Sequence, residues 1–318
     1  MRLHLLHLDD ALEQQPDFMH TCKEAGARDV LAKSEGRTVR LWGRPAELHD
    51  LAAKISGPPQ GGGRDAAPLC FMGSGDFHHV TPLLLELALQ NEARPATLIH
   101  FDNHPDWVRF KNGVHCGSWI NRALENPLVE KAITVGVCSS DLRTPEWKGA
   151  NLSLLDAGKL ELYPYDHPPS RVKRHYEPGA SHHSENGYIQ WKTITAMGEG
   201  NFVAHLLSRI QTDTVYITID KDVLASAYAI TNWDQGQMQL PYLSLLIREI
   251  GARYRIVGAD VTGDFSRPAY AGGIARVVAK HTEIMIDQPR RPPDAGEAAR
   301  TNSAVNHQLL EVLTQVMA

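Results

Sequence analysis

The sequence is poor in cysteine, in long apolar runs and in excess charge of either sign. Its four cysteines, Cys22, Cys70, Cys116 and Cys138, form no Cys-x-x-Cys pair. That scatter excludes a thiolate zinc site and a disulfide frame, and fits reduced thiols in a cytoplasmic protein. No apolar stretch approaches the roughly 18 residues of a membrane-spanning helix. The opening Met1–Asp10 is too polar, and its apolar part too short, for a secretion signal. A formal net charge of −5 over 318 residues offers no field for nucleic acid or an anionic membrane. No Gly-x4-Gly-Lys-Ser/Thr phosphate loop is present, and Gly73-x-Gly75 lacks the third glycine of a dinucleotide turn.

Alternating strands and helices fill the chain. Apolar runs predict strands over Arg2–Leu8, Thr38–Trp42, Pro68–Met72, Thr97–Asp102, Ile133–Val137, Leu160–Tyr165, Val215–Asp220 and Arg255–Thr262. Helical spacing predicts helices over Asp10–Ala27 (weakened by Pro16), from Thr81, and over Ser118–Glu125, Thr195–Gln211, Leu240–Tyr254, Gly272–His281 and Asn306–Met317. Ser56–Asp65 reads as a loop, Pro168–Glu185 as a polar loop around His182-His183, and Ile284–Ala299 as a charged surface excursion. The pattern implies one α/β domain over residues 1–318, a parallel sheet covered on both faces. Sites in such folds form at the carboxyl ends of the strands.

Those ends carry the chemistry. The strand from Thr97 runs into Asp102-Asn-His104-Pro-Asp106, and the strand from Val215 into Asp220-Lys-Asp222. On an extended backbone, residues two apart project to one side, so each stretch presents its acidic groups together. With His78 or His79 from Gly75-Asp-Phe-His-His79, the ligand set is four carboxylates and two imidazoles. Two divalent cations neutralise four carboxylates in full; one leaves a surplus of two. Oxygen-rich ligands without thiolate favour Mn²⁺ over a structural zinc. Two-metal centres activate water at neutral pH, and the hydroxide formed attacks a trigonal carbon.

These segments resemble the arginase/agmatinase (ureohydrolase) family, over roughly residues 68 to 275. The matching stretches are Gly73–His78, Asp102–Asp106, His115-Cys-Gly117, Thr218–Asp222 and Asp260–Asp264. The resemblance implies a three-layer α/β/α sandwich with a mainly parallel sheet, of the arginase-deacetylase type, often assembled as trimers or hexamers. It implies two Mn²⁺ per chain, with His78 and Asp106 on one ion, His104 and Asp222 on the other, and Asp102 and Asp220 bridging. His115 becomes a proton shuttle. The family's guanidinium-holding glutamate falls on Gly263, so Asp264 takes that role if the strand end bulges. Phe77 is inserted before the histidine pair, which leaves His79 as an alternative ligand to His78. Trp107 and Val108 stand where the family reads an arginine α-carboxylate, and Asn232–Gln235 replaces a Gly/Thr/Pro-rich loop.

The resulting expectation is a binuclear manganese hydrolase. It cleaves a non-peptide linear C–N bond of a guanidino or amidino compound other than plain arginine. One alternative is a mono-zinc amide deacetylase of the same fold, for which His78-His79 offers a histidine pair. A non-catalytic metal-binding relative is the other. Lys221, of opposite parity to Asp220 and Asp222, is expected to turn away into packing or an ion pair.

Overall fold

In the computed structural model the described residues are 1–57, 66–288 and 293–318. Most of the Ser56–Asp65 loop predicted above therefore lies outside them. Eight strands form one sheet: β1 Arg2–His7, β2 Arg28–Leu31, β3 Pro68–Phe71, β4 Ala96–Phe101, β5 Val129–Val135, β6 Leu160–Tyr163, β7 Thr214–Asp220 and β8 Arg255–Thr262. Their order is β2-β1-β3-β8-β7-β4-β5-β6, and every adjacent pair is parallel.

The longer helices are α1 Pro16–Glu24, α2 Pro45–Ile55, α3 Thr81–Leu89, α4 Glu199–Arg209, α5 Leu240–Gly251, α6 Ile274–Asp287 and α7 Ala295–Val316. They cover the sheet in two apolar layers. Ile99 and Phe101 of β4 pack with Phe18 of α1, Phe202 of α4, Ile247 of α5 and Leu309 of α7. Leu98, pointing the other way, packs with Leu51 of α2, Leu85 of α3 and Trp119. The strict alternation along a strand buried on both sides is what a parallel sheet between helices requires. The three-layer α/β/α sandwich expected from the sequence is the architecture observed.

Several local expectations are corrected. Pro16 does not weaken a helix but starts one, since the missing N–H of proline is harmless in the first turn. Thr38–Trp42 is not a strand. A helix over Lys33–Val39 ends there, Leu41 adopts φ 66°, and only Trp42–Gly43 pair as a short strand. The reason is tertiary: Arg40 turns inward, where its Nε donates to Asp76 Oδ2 at 2.6 Å. The polar Pro168–Glu185 stretch contributes two strands, Ser170–Arg171 and His182–Glu185, to a small sheet with Tyr188–Trp191. In the region expected as a surface excursion, Ile284–Asp287 complete α6 and Ala295 begins α7. No helix among the described residues is long and apolar enough to cross a membrane.

Helix α6 turns charged side chains inward alongside Ile284. Lys280 is its buried residue, while Ile274, Val278, Met285 and Ile286 are exposed. Arg276 pairs with Glu47 and lies 4.4 Å over the Trp42 ring. Lys280 Nζ donates to the Thr38 and Trp42 carbonyls, both at 2.8 Å. Burial, and then the Arg276 charge, bring the Lys280 pKa down to about 7, opposed by Glu47 and Glu283.

Candidate metal centre

Sheet register brings the acidic strand ends together. Phe101 of β4 pairs with Ile219 of β7, so Asp102 and Asp220, each one residue on, leave neighbouring strands at the same level. Beyond that point the two stretches repeat one local device. Asp102 Oδ1 accepts the His104 N–H at 2.6 Å, and Asp220 Oδ1 accepts the Asp222 N–H at 3.0 Å. Aspartate side chains that bond the backbone two residues on make a tight turn. This corrects the parity argument. Regular strand ends at Phe101, and turns, not an extended backbone, gather Asp102, His104 and Asp106. Asp106 itself sits at φ 48°, a region aspartate tolerates better than most residues. Trp119 Nε1 holds it by donating to Oδ2 at 2.6 Å.

His78 enters from the 3₁₀ segment Gly75–Val80. Its Nδ1 lies 3.0 Å from Asp102 Oδ2, 3.4 Å from Asp106 Oδ2 and 3.6 Å from Asp220 Oδ2. None of these contacts has hydrogen-bond geometry, and Nδ1 has no partner among the described residues. The other ring nitrogen explains the tautomer. Thr218 Oγ1 donates its one proton to Asp260 Oδ1 at 2.7 Å. It must therefore accept from His78 Nε2 at 2.9 Å. In that tautomer Nδ1 carries a lone pair, surrounded by carboxylate oxygens but directed at none of them. Burial opposes a charge on His78, but Asp102 outweighs it and raises the pKa, so a cation at Nδ1 is favoured.

The second half is built on His104. Its Nδ1 is 2.9 Å from Asp222 Oδ2, and its Nε2 is 2.9 Å from Asp234 Oδ1. Two groups of ligand atoms close enough to share an ion result: His78, His100, Asp102 and Asp106, and Asp102, His104 and Asp222. Asp102 belongs to both. Asp220 lies beside them, its Oδ2 facing His78.

Electrostatics favours an occupant of positive charge. Burial first, then neighbouring carboxylates, push Asp106 and Asp220 well above the usual carboxylate range, and Asp222 up to about 7. Four buried carboxylates in mutual contact with no cation would have to take up protons. An orphaned imidazole nitrogen among them, and oxygen donors without thiolate, fit divalent cations of the hard type.

Other residues were not singled out by sequence. His100 is sealed beneath the cluster, its Nε2 2.8 Å from Asp102 Oδ2 and its Nδ1 3.0 Å from Thr134 Oγ1. Its position two before Asp102, on the same side of β4, was the available signal. Asp76 accepts from Arg40, from Trp233 Nε1 at 2.8 Å and from Gln288 Nε2 at 2.9 Å.

Two expectations fail in placement. His79 is buried but turned from the cluster, with neither ring nitrogen partnered among the described residues. It is not the alternative ligand, and His78 lines the cavity without it. Asp264 is also elsewhere. Its carboxylate bonds Lys221 Nζ, and Asn306 bonds that same ammonium at 2.7 Å. The bulge that would have redirected it is absent from that end: the β7–β8 register shifts at Val215/Tyr216, at the start of the strands. Lys221 is thus in the ion pair expected of it. The exposed-loop reading of His182-His183 also changes: His182 is buried against Trp191, and nothing there gathers further ligands.

The cluster floors a cavity of about 900 Å³. Trp107, Phe110 and Trp233 line it, with His115 on the wall and Asp141, Asp234, Glu283 and Asp287 higher up. Among the described lining residues the only lysine or arginine is Lys148, which is paired with Asp141 at 2.7 Å. His115 Nδ1 accepts the Gly117 N–H at 2.9 Å, so its proton is on Nε2, where it bonds Glu283.

Solved structures share this arrangement of the chain. Formimidoylglutamase from Bacillus subtilis superposes with a TM-score of 0.61, at 14% identity, over 99% of this chain and 86% of that one. Arginase from Bacillus cereus gives 0.57 at 12% identity over 96% of each chain. The fold is that of the arginases. Arginase from Bacillus caldovelox gives 0.55 at 13% identity, covering 96% and 97%. No family model matches the sequence. An uncharacterized protein of Thermotoga maritima is 27% identical over 195 residues, which span 61% of this chain and 57% of that relative.

Proposed function

We propose that this chain is a metal-dependent hydrolase, a divergent relative of the arginase/agmatinase enzymes, acting on a linear C–N bond outside peptides. In this reading His78 and Asp106 would hold one Mn²⁺ and His104 and Asp222 a second, with Asp102 and Asp220 completing the ligand set. The observation that carries it is the bare Nδ1 of His78, 3.0 Å from Asp102 Oδ2, in a double ligand set that shares Asp102. Bound divalent cations would supply an acidified water near neutral pH and would polarise a trigonal carbon.

The chain's own groups supply the rest. Thr218 and Asp260 fix the His78 tautomer, and Asp234 orients His104 through Nε2. Trp107, buried beneath the wall, and Trp233 limit water. His115 stands in the cavity wall with its Nε2–H bonded to Glu283, so in this reading a proton for a leaving amine would pass through that pair. A wall rich in carboxylates disfavours a substrate that carries its own carboxylate. That supports a guanidino or amidino compound other than plain arginine.

The test is manganese loading, desalting and elemental analysis, followed by a guanidino screen for urea or amine release. About two Mn per chain with turnover supports the reading. About one zinc with no manganese uptake favours a deacetylase, and no tight metal removes the proposal.

A further inference from the structure

The cage fixes where a bond would break but not what holds the cationic part of the substrate. At the end of β8 no side chain can do so. Gly263 is packed so closely that an added Cβ would lie 2.4 Å from Asp220 Oδ1. Asp264, next along, is spent on Lys221 in the core. The end of β8 therefore delivers no free carboxylate to the cavity.

Glu283 comes from the other side, on α6. It lines the cavity and is one-quarter exposed there. One oxygen accepts the Nε2–H of His115, and the other has no hydrogen-bond partner among the described residues. The Nδ1 of His115 is committed to Gly117, so this bond is the only one its imidazole proton can make in place. The pair holds Glu283 in one rotamer with an oxygen to spare. Helix α6 is oriented for that delivery. Arg276, Lys280 and Glu283 follow at helical spacing on the inward face, and the first two are tied to Glu47 and to the Thr38 and Trp42 carbonyls. Gln288, just past the helix, bonds Asp76 at 2.9 Å. Beside Ile284, which packs on Trp42 and Cys116, the inward face carries these charged groups, while Ile274, Val278 and Met285 are left exposed.

We propose that Glu283 is the specificity-determining residue of this site: its free carboxylate oxygen binds the planar cationic head, guanidinium or amidinium, of the substrate. The inference rests on the hydrolase reading above. It assigns to a helix after the sheet the carboxylate that the end of β8 lacks. A carboxylate with one oxygen on His115 and one free can accept an N–H of the cation while His115 stays aligned beside it.

Calorimetry on the manganese-loaded full chain tests it, with methylguanidinium as the probe and methylurea as its neutral counterpart. Glu283→Gln is expected to weaken methylguanidinium roughly 10- to 100-fold, the effect of one charge-assisted hydrogen bond, and to leave methylurea and manganese stoichiometry unchanged. Glu283→Asp, which keeps the charge but withdraws it by one methylene, should fall between, and stands in if the Gln variant fails to fold. His115→Asn should retain methylguanidinium binding. Wild-type affinity in either Glu283 variant overturns the inference and leaves the hydrolase reading standing. Equal loss in the Glu283 and His115 variants also overturns it, by reducing Glu283 to a support for His115. If the wild type binds manganese but no methylguanidinium, the guanidino reading and this inference fail together.

Discussion

His78 Nδ1 lies 3.0 Å from Asp102 Oδ2 without hydrogen-bond geometry, while the ring's other nitrogen bonds Thr218. A lone pair buried among carboxylate oxygens is stable only with a cation in their midst or a proton added. If the chain binds two manganese ions as proposed, His78→Ala should lower the content to about one per chain. Thr218→Val should be milder, since it removes only the group that fixes the tautomer: metal affinity should drop roughly 10- to 100-fold, the usual range for a lost outer partner. Elemental analysis and competition with a chelator read both. Unchanged stoichiometry in His78→Ala would remove His78 from the ligand set.

Lys221 and Asp264 form a buried ion pair that only looks, by its place in the sequence, like part of the site. Asp264→Ala should leave the Lys221 ammonium buried and unpaired, and destabilise the protein by about 3–5 kcal/mol. Replacing both partners, Lys221→Met with Asp264→Leu, should restore most of that stability. Urea unfolding of the metal-free chain measures both. An Asp264→Ala variant of wild-type stability but without activity would return Asp264 to the chemistry.

Stability in mild acid should depend on His4. Burial, and then Arg28 and Arg2, hold its pKa down to about 4, against 6.5 for the free side chain. Between those values the unfolded chain binds the proton and the folded chain does not. Stability therefore rises with pH across the window and is lost as pH falls from about 6.5 towards 4. His4→Gln should flatten this part of the profile. Denaturant midpoints at pH 7 and pH 5, with chelator present to keep metal release out of the comparison, check it; parallel profiles for the two proteins would rule it out.

What was legible follows from where the information sits. Apolar runs ending in acids locate β3, β4, β7 and β8, because a strand buried on both faces has no alternative use for such a run. Parallel order then places their ends on one edge, so His78, Asp102, His104, Asp106, Asp220 and Asp222 could be grouped in advance. Asp264 could not be assigned, because the two neighbours that decide its role, Lys221 and Asn306, are 43 and 42 residues away. Arg40 reshapes Thr38–Trp42 through a bond to Asp76, 36 residues on. Periodicity shows that α6 is amphipathic but not which face turns inward. Glu283, 168 residues from His115, was hidden for that reason.

Gly75 provides a separate test of how tightly the cage is fitted. An added Cβ there would lie 2.5 Å from Asp220 Oδ2, and the backbone φ of Gly75 is not in the left-handed region. Gly75→Ala therefore adds volume without backbone strain, and the nearest atom able to give way is the Asp220 carboxylate. Displacing that oxygen moves it from the position it shares with His78 and Asp102. Metal affinity should fall by tenfold or more, while the metal-free chain loses only about 1–3 kcal/mol, the ordinary cost of overpacking. Gly263→Ala crowds the other oxygen of the same carboxylate, at 2.4 Å, but at φ 94°, so strain adds to the clash and its stability loss should be the larger. Parallel loss of metal with unequal loss of stability is the outcome expected of a carboxylate pinned from both sides. If both variants bind manganese as the wild type does, Asp220 is free to shift and does not bridge.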